Sequence, residues 1–244
     1  MINRIFQENE IFIAAHRGYS AKYPENTLLA FKKAIDQQVD MLEFDLRLSK
    51  DGEVMIIHDE TVDRTTNGSG KVEEFTVDEL KKLDAGQGET IPTLRELCEL
   101  VSAHPHILLN VEIKPQGGAL EVVDKSMDIL EEFHLVNRSV FTSFDAKVIH
   151  YLVDNYHVKT QGFPQDYMID FNKVIDGTLS KLTAVALQME DVTVERVRAY
   201  RDAGKLVWCY CPDEEATVQH SIDCGVSLVT CNEISPALKK IKNM

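Results

Sequence analysis

The sequence predicts a (β/α)8 barrel, also called a TIM barrel, with a small insertion after the second strand. Short apolar segments alternate with amphipathic helical patterns, which is typical of a parallel sheet covered by helices. Eight such units in 244 residues match the usual size of this barrel. A doubly wound open sheet is the alternative, but it usually has fewer strands and a glycine-rich first turn, which this sequence lacks.

Each predicted element follows from hydrophobic periodicity and from the turn residues that bound it. The predicted barrel strands are 11–15, 41–46, 107–113, 139–142, 159–163, 184–188, 206–210 and 227–230. The predicted helices are 27–37, 94–103, 119–133, 145–155, 194–203, 213–224 and 236–242. Segment 166–179 is less regular, and we expect a weak or broken helix there.

One region interrupts this alternation between the second and third barrel strands. An Asp51-Gly52 turn precedes an extra apolar strand at 54–57, and a short helical piece at 77–83 follows. Loops that follow barrel strands lie on the C-terminal face of the barrel, where active sites form. We therefore predict one domain over residues 1–244, with an inserted substrate-cleft subdomain at about 47–90.

The charge of the chain limits its partners. With 40 acidic and 26 basic residues, the formal charge is −14, so we expect no nucleic-acid partner and no stable membrane association. A small anionic substrate fits if a few cations are concentrated in one cleft.

No apolar run is long enough to cross a bilayer, and residues 1–10 lack the apolar stretch of a signal peptide, so we expect a cytoplasmic protein. A monomer and a homodimer are both open.

The five cysteines match no zinc signature built from two pairs of ligands. Four of them lie in the last 36 residues, which keeps a soft-metal site there as the less favoured interpretation. Reduced and buried thiols are the favoured one. The sequence assigns no role to Cys209, Cys211 or Cys231.

Two carboxylates share one face of the second predicted strand. Glu43 and Asp45 flank Phe44, and strand side chains alternate between faces, so both carboxylates point the same way. Inside a filled barrel two such charges need a cation, and carboxylate oxygens suit Mg2+, Ca2+ or Mn2+. The alternative is that both point outward.

Glu112 and Lys114 repeat this spacing at the end of another predicted strand, and Glu112 can complete the set of oxygen ligands. A structural Glu–Lys ion pair is the alternative there.

Two histidines follow predicted strands. His16 and Arg17 come directly after the first strand, and His58 ends the inserted strand. Each could be an ordinary turn residue when taken alone. Two histidines near a divalent ion, however, are what acid–base cleavage of a phosphodiester requires, because one takes a proton from the nucleophile and the other donates one to the leaving alkoxide.

The ordered series of motifs resembles the glycerophosphodiester phosphodiesterase family over about half of the chain. The matching motifs are Ala15-His16-Arg17-Gly18, Pro24-Glu25-Asn26-Thr27, Glu43-Phe44-Asp45, Asp51-Gly52, His58-Asp59, Arg64-Thr65-Thr66, Leu83-Asp84-Ala85-Gly86, Ile91-Pro92-Thr93-Leu94 and Asn110-Val111-Glu112-Ile113-Lys114. The resemblance implies a barrel that binds one divalent cation, Mg2+ or Ca2+ with Mn2+ as a further choice. It also implies hydrolysis of a small glycerophosphodiester to sn-glycerol 3-phosphate and an alcohol.

The resemblance also implies roles for individual residues. The metal ligands would be Glu43, Asp45 and Glu112, the acid–base pair would be His16 and His58, and the phosphate contacts would be Arg17 and Lys114. The second half departs from the family pattern: Trp208-Cys209-Tyr210-Cys211 stands where the family usually has Trp-Thr-Val-Asn, and 227–232 replaces a Gly-Ile-Ile-Thr-Asp run. We expect Trp208 to pack against the glycerol or the leaving group, with a buried core position as the alternative.

Two other functions are compatible with the same residues. One is a phosphodiesterase that acts on lysophospholipids or phosphoinositides, although the acidic surface and the lack of an amphipathic helix argue against it. The other is a non-catalytic barrel that binds a phosphate ligand, which would be expected to have lost a carboxylate or a histidine of the set. The choice of metal, the order of the two histidines, the alcohol and a cyclic phosphate intermediate stay open.

Overall fold

The structure, a computed structural model, describes residues 10–115 and 117–243. In this part of the chain the strands are β1 (Phe12–His16), β2 (Met41–Leu48), β3 (Val54–Ile56), β4 (Leu108–Ile113), β5 (Ser139–Thr142), β6 (Thr160–Gly162), β7 (Ala184–Gln188), β8 (Leu206–Tyr210) and β9 (Leu228–Cys231). The α-helices are α1 (Leu28–Asp36), α2 (Val77–Leu80), α3 (Leu94–Ser102), α4 (Ala119–Glu132), α5 (Ala146–Tyr156), α6 (Thr178–Lys181), α7 (Val194–Asp202), α8 (Glu215–Cys224) and α9 (Ser235–Ala237).

Eight of these strands form a closed parallel barrel. Their hydrogen-bonded order is β1-β9-β8-β7-β6-β5-β4-β2, and the pairing of β1 with β2 closes the ring. Every neighbouring pair in the ring is parallel, as expected for strands that are connected by helices. The predicted (β/α)8 barrel is confirmed.

The second strand shows how the sequence places polar groups inside the barrel. Phe44 and Leu46 are fully buried, and the Phe44 ring packs edge-on against Phe31 of α1. Glu43 and Asp45 alternate with these apolar residues and therefore point to the opposite side, the barrel interior. The apolar set thus holds α1 on the outside while the carboxylates are held within.

The register of neighbouring strands then brings polar residues side by side. His16 of β1 is paired with Glu43 of β2, and Asp45 of β2 is paired with Glu112 of β4. Paired residues of parallel strands lie about 5 Å apart across the sheet. The carboxyl ends of three adjacent strands therefore supply one polar cluster.

The inserted segment lies outside the closed ring. Its strand β3 is antiparallel to the end of β2, and Ile57 N donates to Asp45 O (2.9 Å), which joins the end of β3 to β2. The predicted helical piece 77–83 is shorter and spans Val77–Leu80. A second apolar cluster is formed by Met55, Ile57, Val62, Val72, Leu80 and Ile91. The insertion thus has a small core of its own.

Two predicted helices differ from the observed ones. The weak helix expected at 166–179 is reduced to α6, because that segment follows the rim of the barrel in turns before Thr178. The last helix is broken into α9 and a wider π-helical turn, Leu238–Lys242. In residues 10–115 and 117–243, no helix combines the length and apolar character needed to cross a membrane. Most of the N-terminal segment considered for a signal peptide lies outside the described residues.

Candidate active site

A cavity of about 240 Å3 opens at the carboxyl ends of the barrel strands. Predicted site residues from β1, β2 and β4, and His58 just after the inserted strand β3, line this one cavity. Its described lining residues are His16, Arg17, Glu43, His58, Asn110, Glu112, Lys114, Thr142, Phe144, Gln161, Phe163, Ala186, Tyr210 and Thr230. The structure therefore brings together the two histidines and both predicted phosphate contacts.

Three carboxylates form the centre of the site. Glu43, Asp45 and Glu112 are 3%, 0% and 7% exposed, and each offers an oxygen within 4.8 Å of the other two. Glu43 Oε1 is buried and has no hydrogen-bond partner among the described residues. Burial and the charges of Asp45 and Glu112 raise the pKa of Glu43 well above its usual range. Three carboxylates that can each offer an oxygen ligand, one of them with an oxygen that lacks a hydrogen-bond donor, fit a divalent cation.

Two cations partly neutralise these carboxylates. The Nζ atom of Lys114 contacts Asp45 Oδ1 (2.8 Å) and Glu112 Oε1, and Arg17 Nε lies 3.4 Å from Asp45 Oδ2. Burial alone would raise the pKa of Asp45, but Lys114 and Arg17 hold it well below its usual range. The same carboxylates outweigh burial at Lys114 and raise its pKa. The ion pair considered as an alternative for Glu112 and Lys114 is thus present, inside the cavity rather than away from it.

His16 is held by Asn232, which directly follows the neighbouring strand β9. Its Nδ1 lies 2.7 Å from Asn232 Oδ1, and Asn232 is fixed in turn by Asp213, which accepts from its side-chain nitrogen (2.7 Å). The other ring nitrogen lies 3.8 Å from Glu43 Oε2, so it faces the carboxylates. Burial disfavours the charged imidazole, but the contact with Cys211 Sγ (3.5 Å) outweighs it, and the net effect raises the pKa of His16.

His58 comes from the insertion, just after β3, and lines the same cavity. Its Nδ1 lies 2.7 Å from Asp59 Oδ1, which leaves the other ring nitrogen for the cavity. Arg47 Nε donates to the backbone carbonyl of His58 (2.9 Å) and fixes the chain there. Burial lowers the pKa of His58.

An aromatic wall, formed by Phe144, Phe163 and Tyr210, was not predicted. Phe144 and Phe163 are stacked with ring centroids 3.5 Å apart, and Tyr210 meets Phe163 edge-on at 5.9 Å. Phe163 directly follows β6 and Tyr210 ends β8, so their places at strand ends were the available signal. The wall gives one side of the cavity an apolar surface.

Trp208 is not among the described residues that line the cavity. It is 1% exposed and fully packed in the barrel, with a ring nitrogen that has no hydrogen-bond partner in the described part of the chain. Tyr210, two residues further along β8, reaches the cavity wall instead. The buried core position is therefore the one observed, and substrate contact by Trp208 stays a prediction that this geometry does not support.

Comparison with known proteins identifies the family of the chain. Residues 16–235 match the profile of the Glycerophosphoryl diester phosphodiesterase family. A glycerophosphodiester phosphodiesterase from Caldanaerobacter subterraneus subsp. tengcongensis is 45% identical over 142 residues, which cover 54% of this chain and 58% of that protein. The alignment thus spans little more than half of that curated relative.

Solved structures resemble the chain over almost its whole length. A phosphodiesterase from Oleispira antarctica, in complex with the product sn-glycerol-3-phosphate, is 26% identical with a TM-score of 0.84, covering 96% of this chain and 97% of that one. A glycerophosphodiester phosphodiesterase from Thermotoga maritima is 27% identical with a TM-score of 0.76, covering 96% and 99%. Because the family match runs from the end of β1 to the start of α9, the chain belongs to the glycerophosphoryl diester phosphodiesterase family.

Proposed function

We propose that the chain hydrolyses small glycerophosphodiesters to sn-glycerol 3-phosphate and an alcohol. One observation carries the proposal: the two histidines, Arg17, Lys114, Glu43 and Glu112 line one cavity, and the buried Asp45 completes the carboxylate cluster. A non-catalytic phosphate-binding barrel has no need of this complete set. The family membership and the product bound to the Oleispira antarctica phosphodiesterase support the same substrate class.

Glu43, Asp45 and Glu112 would hold one divalent cation, Mg2+ or Ca2+ with Mn2+ as a further choice. The buried oxygen of Glu43 without a donor supports this assignment, because an ionised carboxylate there needs a positive partner. When bound, the cation supplies Lewis-acid stabilisation of charge on the phosphoryl oxygens.

Arg17 and Lys114 would bind the phosphate of the substrate. Both already contact carboxylates at one side, and both line the cavity, so their remaining donors can meet phosphate oxygens. They also give an acidic chain of charge −14 a local positive surface for an anionic substrate.

His16 and His58 would transfer the protons. Each ring has its Nδ1 bound to a protein oxygen, so Nε2 is the atom that exchanges a proton in the cavity. In the cleavage one ring would take a proton from the nucleophile, and the other, in its protonated form, would donate one to the leaving alkoxide. The aromatic wall would contact the apolar atoms of the substrate and keep water from that side.

The test is release of sn-glycerol 3-phosphate from glycerophosphocholine by the wild type, His16→Ala and His58→Ala. Each histidine variant should lose about 10²- to 10⁴-fold in kcat, the usual contribution of general acid–base catalysis, while its circular dichroism stays that of the wild type. Near-normal turnover by either variant would remove that histidine from the mechanism. An acylated substrate tested in parallel distinguishes the lysophospholipid alternative.

A further inference from the structure

A series of ion pairs with alternating charges connects Arg17 with His58 through Glu25, Arg64 and Asp59. Arg64 donates two hydrogen bonds to Asp59, from Nε to Oδ2 (2.6 Å) and from Nη2 to Oδ1 (3.0 Å). The other side of the same guanidinium donates to both oxygens of Glu25, at 2.8 Å each. Glu25 Oε1 also accepts from Arg17 Nη1 (2.9 Å). One carboxylate thus bridges an arginine of the barrel and an arginine of the insertion.

Both ends of this series of ion pairs reach residues that take part in the proposed reaction. At one end Arg17 contacts Asp45 and lines the cavity. At the other end Asp59 accepts from His58 Nδ1 at 2.7 Å. An aspartate is ionised at neutral pH and can only accept, and the two hydrogen bonds from Arg64 fix where the Asp59 oxygens lie. His58 must therefore carry hydrogen on Nδ1, which leaves Nε2 free to face the cavity.

The need for such a connection follows from the fold. Strand β3 lies outside the closed ring, where it pairs with β2 on one side and meets the loop at 92–93 on the other, through the Met55–Thr93 bridge and the hydrogen bond from Ile56 N to Pro92 O (2.8 Å). His58 lies in the loop just after this short strand, whereas His16 is the last residue of β1, a strand paired with both β2 and β9. A catalytic group that is misplaced by about 1 Å can lose about 100-fold in rate, so an external constraint on this ring has a direct effect.

We infer that Glu25 and Arg64 are positioning residues, which fix the orientation and tautomer of His58 through Asp59 and couple it to Arg17. Arg64 is not among the described residues that line the cavity, so it acts through its neighbours. The inference rests on the proposed function for its kinetic effect, but the predicted ring state of His58 does not depend on turnover.

The kinetic test uses Arg64→Ala and Arg64→Lys with glycerophosphocholine. Arg64→Ala should lower kcat by about 10- to 100-fold while KM stays within about twofold, because the His58 ring is displaced whereas Arg17 keeps its own contacts with Glu25 and Asp45. Arg64→Lys should fall in between, since an ammonium keeps the charge but cannot hold two carboxylates with a planar fork. Equal kcat in all three proteins would overturn the inference.

A matched control and a double-mutant cycle exclude a merely structural role. Arg95 makes the same two-pronged pair with Glu132 (2.7 and 2.9 Å), and its side chain is 42% exposed, against 49% for Arg64. Arg95→Ala should leave kcat unchanged. In an Asp59→Asn background, Arg64→Ala should lower kcat by less than about twofold, because the carboxylate through which Arg64 orients His58 is already gone. Independent, multiplicative losses would show that Arg64 acts elsewhere.

Nitrogen NMR of the histidine rings gives a readout without turnover. In the wild type, neutral His58, assigned by its absence in His58→Ala, should show one protonated ring nitrogen, Nδ1. In Arg64→Ala it should show a mixture of both tautomers. An unchanged single tautomer would overturn the inference even in an active enzyme. A wild type that cleaves no glycerophosphodiester would refute the proposed function alone, since the ring state is still measured.

Discussion

Two conservative substitutions in the carboxylate cluster should have opposite effects on the stability of the metal-free protein. Asp45 contacts Lys114 at 2.8 Å and Arg17 at 3.4 Å, so its charge neutralises two buried cations. Glu43 Oε1, by contrast, meets no hydrogen-bond donor in the described part of the chain. Burial and neighbouring carboxylates raise the pKa of Glu43, so its negative charge opposes folding when no cation is bound.

The magnitudes follow from these contacts. Breaking a buried ion pair from one side costs about 3–5 kcal/mol, and we expect the lower end for Asp45→Asn because other carboxylates still contact both cations. At about 2–4 °C per kcal/mol for a chain of this size, Tm in EDTA should fall by about 6–12 °C. Glu43→Gln removes a charge that opposes folding, so its Tm in EDTA should equal or exceed that of the wild type.

Calorimetry at pH 7, in EDTA and after addition of Mg2+ or Ca2+, measures both effects. A cation at 100 times its Kd stabilises the wild type by about 2.7 kcal/mol. This raises Tm by about 5–10 °C, and both variants should lose most of that rise. Asp154→Asn is the control, because it removes the same group from an exposed pair with Lys181. An Asp45→Asn protein as stable as wild type, or a full metal response in Glu43→Gln, would refute the assignment of charges.

Three further predictions concern the thiols, the cavity wall and acid stability. In the folded protein one thiol, that of half-buried Cys211, should react rapidly with a disulfide reagent, because the other four are buried and burial raises the pKa of Cys209 to about 12; a second fast thiol would contradict this packing. Phe163→Ala should raise KM for glycerophosphocholine by about 10-fold through loss of an aromatic contact, whereas Trp208→Phe should leave KM within about twofold; the reverse order in steady-state kinetics would restore Trp208 as a substrate contact. The guanidinium bound to Asp59 lowers its pKa, so the pair stabilises the folded state above the pH at which a free aspartate titrates and loses this contribution as the pH falls. Urea unfolding should therefore show Asp59→Asn less stable than wild type at pH 7, with the difference shrinking below about pH 4; a constant difference would contradict this.

The carboxylate cluster could be predicted because its geometry is local. Alternation along a strand places Glu43 and Asp45 on one face, and the same spacing applies to Glu112 and Lys114. Only the pairing of β2 with β4 was needed to bring the two sets together, and neighbouring strands of a barrel supply that pairing. The chemistry of the donor atoms then points to a hard cation without further structural detail.

The cavity wall could not be predicted, because it depends on contacts between distant parts of the chain. Phe144 and Phe163 follow the paired strands β5 and β6, whereas Tyr210 ends β8, two strands further round the ring, so the three rings meet only through tertiary packing. Trp208 illustrates a second limit: alternation places it on the same face of β8 as Tyr210, but not at the same depth. Two residues of strand span about 6.6 Å, enough to move a side chain from the cavity into the layer below.

Hydrolysis of glycerophosphocholine by the wild type, before and after chelation, tests the central claim most directly. The protein is treated with EDTA, dialysed and assayed for sn-glycerol 3-phosphate, and then Mg2+ or Ca2+ is restored. We predict that release is lost on chelation and returns with one of these cations, because the proposed role of the three buried carboxylates is to hold the cation. Full activity in the chelated protein, or no release under any of these conditions, would contradict the account.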